Sequence, residues 1–168
     1  MKVLVSTTSR HGSTAEIADR IAGTLRSALP GDTVVNVLAC ADVRDLASYD
    51  AFVLGSALYM GRWLKDARKL AQRIAAHPGR PVWLFSSGPI GEPAAPVDEP
   101  AEISDLLTAT RARDHRLFAG RLDLHQLGIG EKTLVTALRS PGGDFRDWGA
   151  ITAWGTGIAT ELSRAAAY

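Results

Sequence analysis

Lys2-Val3-Leu4-Val5-Ser6-Thr7-Thr8-Ser9-Arg10-His11-Gly12-Ser13-Thr14 opens the chain, and how it is parsed determines the architecture. Lys2–Val5 reads as a buried strand, Ser6–Thr14 as a hydroxyl-rich turn, and Ala15–Leu29 continues at helical spacing. A turn between a strand and a helix presents unpaired backbone N–H groups and the positive end of the helix dipole. Ser and Thr hydroxyls, a Gly that lets a ligand approach the backbone, and one Arg converge there. That is chemistry for gripping a phosphate.

The pattern repeats outward from this stretch. Further strands read at Val34–Leu38, Ala51–Gly55, Val82–Ser86 and Leu117–Leu122, and helices at Thr14–Leu29, Arg62–Ala76, Glu99–Ala112 and Trp148–Ala166. The segment Ala39–Tyr49 has room for a turn or two of helix. The third and fourth strands are almost wholly apolar, as central strands covered on both faces are. Such alternation predicts an α/β fold, a doubly wound parallel sheet with right-handed crossovers. Ligands of such sheets bind at the carboxyl ends of the strands, where strand order reverses. The loops Ser6–Thr14, Ser56–Trp63 and Ser86–Asp98 are therefore expected to form one site. Glu92–Pro100 is proline-rich and reads as an extended, solvated loop. Asp123–Asp147 is long for a connection and carries a helical stretch at Glu131–Arg139.

Composition bounds the rest. A length of 168 residues suits one domain, and 46% hydrophobic with 22% charged residues is ordinary for a globular protein. A net charge of +1 without a basic run argues against nucleic acid. The lone Cys40 excludes an internal disulfide and a multi-cysteine metal cluster, and no metal site is expected. No leader precedes the first strand, and no apolar run approaches ~18 residues. A cytoplasmic protein without a transmembrane segment is expected, with oligomeric state left open.

Several phosphate-binding chemistries fail on their residues. A nucleoside triphosphatase loop needs a Lys that this turn lacks. A dinucleotide fold needs three glycines and an acid ending strand two; one Gly and Val37-Leu38-Ala39 stand there. A cysteine phosphatase would place its thiolate in this turn, not at Cys40. A response regulator needs acids after strand one and at the end of strand three; Ser6, Thr7 and Gly55 hold those places. What is left is a phosphate monoester held by hydroxyls and amides without a metal.

VSTTSRHGSTAEIADRIA resembles the phosphate loop and first helix of the flavodoxin family. The likeness is nearest to its menaquinone-dependent protoporphyrinogen dehydrogenases. It includes the longer phosphate loop Thr8–Thr14, the Gly55-Ser56-Ala57-Leu58-Tyr59-Met60-Gly61 loop, the Phe-Ala-Gly-Arg-Leu strand with a long insertion after it, and Asp147-Trp148. The resemblance implies a flavodoxin-like sheet in the order 2-1-3-4-5, with helices on both faces, an insertion at about 123–147, and FMN as cofactor. Thr8, Ser9, His11, Gly12, Ser13 and Thr14 would cradle the phosphate. Ser56, Ala57, Leu58, Tyr59, Met60 and Gly61, with Ser86, Ser87, Gly88, Pro89, Ile90 and Gly91, would enclose the isoalloxazine ring. It also implies an oxidoreductase acting on protoporphyrinogen or a related substrate with a quinone acceptor, peripheral to the membrane. An electron carrier serving a redox protein and a flavin-free binding module are the alternatives. Met60 stands where those dehydrogenases carry an aromatic, and 19 basic against 18 acidic residues depart from the acidic electron carriers.

Among the remaining residues, His11 reads equally as a phosphate partner or a solvated group. Arg10 reads as pointing to solvent or to a nearby acid. Trp63, Trp83 and Trp148 read as packing residues, and Cys40 as a small buried hydrophobe. His115 and His125 have no spacing that implies a metal or a catalytic triad.

Overall fold

A computed structural model describes residues 1–88, 101–122 and 143–166. Strands β1 (Lys2–Thr8), β2 (Val34–Ala39), β3 (Ala51–Tyr59), β4 (Arg62–Trp63), β5 (Val82–Ser87) and β6 (Asp114–Phe118) form the main sheet. Helices α1 (Ser13–Ala28), α2 (Lys65–Ala75), α3 (Ala101–Thr110) and α4 (Trp148–Ala166) cover it. The order β2-β1-β3-β5-β6 is the expected 2-1-3-4-5 once the short β4 is set aside, and all five principal strands are parallel. Strand order reverses between β1 and β3, which puts the crevice for a ligand at their carboxyl ends.

Strand periodicity sorts the core into two layers. Val3, Val5, Val53, Trp83 and Phe85 face α1 and α4, meeting Ile17, Ile21, Leu25, Ile151 and Ile158. Leu4, Phe52, Leu54 and Leu84 face the other way, onto Leu70 and Ile74 of α2 and Ile103 of α3. Each large apolar side chain removed from water in this way contributes about 1.5–3 kcal/mol. Gly55 is where the sheet admits the Phe85 ring, since a Cβ there would lie 2.2 Å from Phe85 Cζ.

Several boundaries differ from the sequence reading. Strand three runs on to Tyr59, so most of the expected Ser56–Trp63 loop is a hairpin. Its two-residue turn has positive φ at both Met60 (51°) and Gly61 (74°), the type I′ geometry that matches the twist of paired strands. Arg62–Trp63 pairs back onto β3, so α2 starts at Lys65 rather than Arg62. The fifth strand is Asp114–Phe118, not Leu117–Leu122. As an edge strand it has one neighbour, β5, and only Phe118 of its five residues is buried, so it accommodates Asp114 and Arg116, which hid it from a search for apolar runs. Arg121–Leu122 (β7) instead pairs antiparallel with Gly143–Asp144 (β8) in a separate ribbon. Between Ala39 and Tyr49 lies only a 3-10 turn, Cys40–Asp42. Residues 89–100 and 123–142, with Pro89, Ile90, Gly91, His125 and the expected helical stretch Glu131–Arg139, lie outside the described residues.

Candidate functional site

Three chain segments end at the same edge of the sheet. Thr8 on β1 is in register with Ser56 on β3, and Ser56 with Ser86 on β5. From there the chain turns through Ser9–Gly12 into α1, through Met60–Gly61 into β4, and at Gly88 out of β5.

The entry to α1 is open. Gly12 takes a left-handed φ of 79°, caps the helix without any side-chain hydrogen bond, and has nothing within 4 Å of where a Cβ would stand. A side chain at that position would be strained and would stand in the approach to the helix end. Helix α1 therefore begins without a capping side chain at Gly12, and among the described residues the space beside that position is open. The Thr8 hydroxyl is buried against the Cys40 sulfur and has no hydrogen-bond partner of acceptable geometry among the described residues. Burying an unpaired hydroxyl is costly, so this atom retains capacity for an incoming acceptor.

The other hydroxyls of the turn are partly committed to holding it in place. Thr14 Oγ1 and Ser87 Oγ lie 2.7 Å apart, both buried, joining α1 to the tip of β5. Ser13 Oγ accepts from the Arg121 backbone N–H at 3.0 Å. Each hydroxyl keeps spare capacity beyond these bonds, one donor and two lone pairs being available per group. Ser9 and His11 are half-buried on the turn itself.

On the neighbouring rim, Leu58 and Tyr59 are half-buried while Met60 is 97% exposed. The guanidinium of Arg10 lies 4.5 Å from the centre of the Tyr59 ring, so the phosphate turn and the β3–β4 hairpin meet through a cation–π contact. Arg10 is exposed, in keeping with the sequence reading, and its contact with Tyr59 is one that nothing local signals, the aromatic lying 49 positions away. Gly88, at φ 127°, donates its N–H to the Phe118 carbonyl, and a Cβ on it would lie 3.5 Å from the Leu58 carbonyl oxygen. The spacing would admit a Cβ in ordinary contact, so it is the positive φ that calls for glycine where β5 ends beside β3.

Ser56 and Ser86 face away from the turn. Ser56 Oγ donates to the Ala57 carbonyl and accepts from Leu64 N–H. Ser86 Oγ accepts from Trp63 Nε1 at 2.8 Å and lies 2.9 Å from His115 Nε2. Their side chains hold the α2 side of the rim. Trp63 and Trp83 are buried, as expected of packing residues, and the half-buried Trp148 packs against the core of α1 and α4. Trp148 also carries two arginines, Arg146 at 4.4 Å and Arg20 at 5.0 Å from its ring centre. Cys40 is buried, and that burial pushes its thiol pKa up, as befits an inert packing group.

Sequence reasoning missed the charged cluster behind the turn. Arg146 pairs with Asp144 and with Glu16, and Arg121 pairs with Glu16. The Arg146 hydrogen bonds hold the Asp144 carboxyl down at about 2, and Asp144 in turn raises Arg146. The participants are scattered over 130 positions, so no motif could announce them. Among the described residues no group of His, Cys, Asp and Glu could hold a metal ion.

A family model of the flavodoxin domain matches residues 4–148. The chain belongs to the flavodoxin family. Solved structures agree with this flavodoxin domain at the level of fold. A flavodoxin from the domain Archaea superposes with a TM-score of 0.64 at 19% identity, covering 97% of this chain and 99% of that one. A flavodoxin from Streptococcus pneumoniae TIGR4 gives 0.62 at 17%, covering 98% and 99%. Rubredoxin oxygen:oxidoreductase from Desulfovibrio gigas gives 0.66 at 15%, covering 99% of this chain but 37% of that protein. No curated protein sequence matches this flavodoxin domain. No helix among its described residues is long and apolar enough to cross a membrane.

Proposed function

We propose that this flavodoxin domain, with its insertion at 123–147, binds one FMN at the carboxyl ends of β1, β3 and β5 and works as an oxidoreductase. The observation that carries the reading is the glycine-opened N-terminus of α1, with no side-chain cap at Gly12, at the strand edge where the Thr8 hydroxyl is buried with hydrogen-bonding capacity to spare. Thr8, Ser9, His11, Gly12, Ser13 and Thr14 would hold the phosphate ester through amides and hydroxyls. Residues 56–61 and 86–91 would enclose the ring, with backbone groups at its polar edge and Leu58 or Tyr59 against a face. When bound, the flavin supplies the redox chemistry, accepting or donating one or two electrons. The protein's part is to seat the ester, fix the ring and exclude water.

Protoporphyrinogen or a related reduced substrate, with a quinone as acceptor, is the finer form of this proposal, in the cytoplasm or at a membrane surface. It rests on the Gly55–Gly61 loop and the long insertion. An electron carrier is the competing reading, and the near-balance of 19 basic and 18 acidic residues counts against it.

The purified protein is expected to be yellow with FMN. Ser9→Ala and Thr14→Ala are expected to weaken FMN retention about ten- to hundredfold, since a hydrogen bond to a charged group is worth about 1.5–3 kcal/mol. A colourless protein that refuses added FMN would refute the reading. Anaerobic reoxidation by menadione, with and without protoporphyrinogen, separates enzyme from carrier.

A further inference from the structure

Glu16 stands in the first turn of α1, the helix end to which the proposed function assigns a phosphate dianion. A carboxylate there suits the bare helix dipole but repels a second anion. Two arginines from the far side of the sequence meet it. Arg146 Nη1 lies 2.7 Å from Glu16 Oε2, and Arg121 Nη2 lies 3.1 Å from Glu16 Oε1.

Arg146 is no ordinary surface partner. Its side chain is 2% exposed, whereas those of Glu16 and Asp144 are 44% and 41% exposed. Its Nε and Nη2 clamp the two oxygens of Asp144 at 2.7 and 2.5 Å, its Nη1 reaches the Ser13 carbonyl at 3.5 Å, and its plane lies over Trp148. The same turn is held from the other strand of the ribbon, where Arg121 N–H donates to Ser13 Oγ. Gly120 fits between them, a Cβ on it standing 3.7 Å from Gly88 N and 3.9 Å from Ser13 Oγ. Strand β7 is thus fastened directly to Ser13 and Glu16, β8 through the Asp144–Arg146 pair, and the tip of β5 is drawn into the same knot.

We propose that Arg146 is a positioning residue for the cofactor phosphate, fixing the Ser13–Glu16 turn and cancelling the Glu16 charge without touching the ligand. The proposal rests on the FMN reading above. Binding linkage then runs both ways: closing the β7–β8 clasp favours the phosphate, and the phosphate favours the closed clasp. Because Glu16 and Asp144 are half in water, losing Arg146 leaves them solvated rather than buried and unpaired, so the fold tolerates the substitution.

The test compares FMN with riboflavin, which has the ring but no phosphate, by fluorescence titration of the full chain. Arg146→Met is expected to weaken FMN about tenfold, within the usual range of coupling between sites, and to leave riboflavin unchanged. Arg146→Met/Glu16→Gln is expected to recover part of the loss, and Arg146→Lys, which keeps charge but not the fork, to lose less than Arg146→Met. Amide exchange in wild type should slow at residues 120–122 and 143–146 when FMN is added. Equal loss of FMN and riboflavin, or undiminished FMN affinity with exchange unchanged, overturns the positioning role while leaving the FMN reading intact. A wild-type chain that binds neither flavin overturns both. If Arg146→Met does not fold, Arg146→Lys carries the same comparison.

Discussion

Position 55 shows how a single missing atom shapes the sheet. Gly55 sits in a buried strand beside β5, and the Phe85 ring occupies the space that any Cβ would need. Phe85 is itself fully buried and packs edge-on against Trp154 and at a tilt against Phe118, so it has nowhere to move. Gly55→Ala is expected to destabilise the protein by about 1–3 kcal/mol through overpacking, read as a lower urea midpoint with an unchanged slope. An unaltered midpoint would mean that the ring moves aside easily. Of the residues expected at the site, Gly12, Gly61 and Gly88 could be singled out from sequence because glycine in an odd loop marks a backbone that must bend or approach. The uses of Ser13, Thr14 and Ser87 could not, since a hydroxyl reads alike whether it holds a ligand or a neighbouring strand.

The elements were legible to the degree that each buries an apolar face. Helix α1, with Ile17, Ile21 and Leu25 at helical spacing, and the wholly buried β5 lie where the periodicity put them. Strand β6 did not announce itself, because an edge strand alternates with water and can carry Asp114, which holds both Arg116 and the Trp154 indole. The β7–β8 ribbon was invisible for a different reason: two residues per strand hold no pattern, and charge pairing rather than apolar burial fastens it. That pairing makes the ribbon sensitive to acid. The Asp144 carboxyl is lowered from 3.8 to about 2 by its bonds to Arg146. A depressed carboxylate stabilises the fold fully above its unfolded value, and the contribution fades as pH falls from about 4 towards 2. Its exposure keeps the effect small. Asp144→Asn is expected to lower the urea midpoint at pH 6 and to leave a smaller drop than wild type between pH 4 and 2.5. Parallel curves for the two proteins would sink the assignment.

At the scale of the molecule, a net charge of +1 supplies almost no net charge to draw in a charged partner from a distance. Reduction by a protein donor, followed by stopped flow, is expected to change less than about threefold between 20 and 300 mM salt, where an electrostatically steered pair would change far more. A steep salt dependence would favour the carrier reading. The three-segment rim was foreseeable because doubly wound sheets gather their loops at one edge, but its bracing had to be seen. Ser86 is bonded to Trp63 beside α2, and the very next residue, Ser87, is bonded to Thr14 of α1. The end of β5 is therefore stitched through the sheet, one thread to each helical layer. Neither layer can slide without dragging that lip along, so a disturbance arriving at the α2 side would be felt as a shift at the opening of α1.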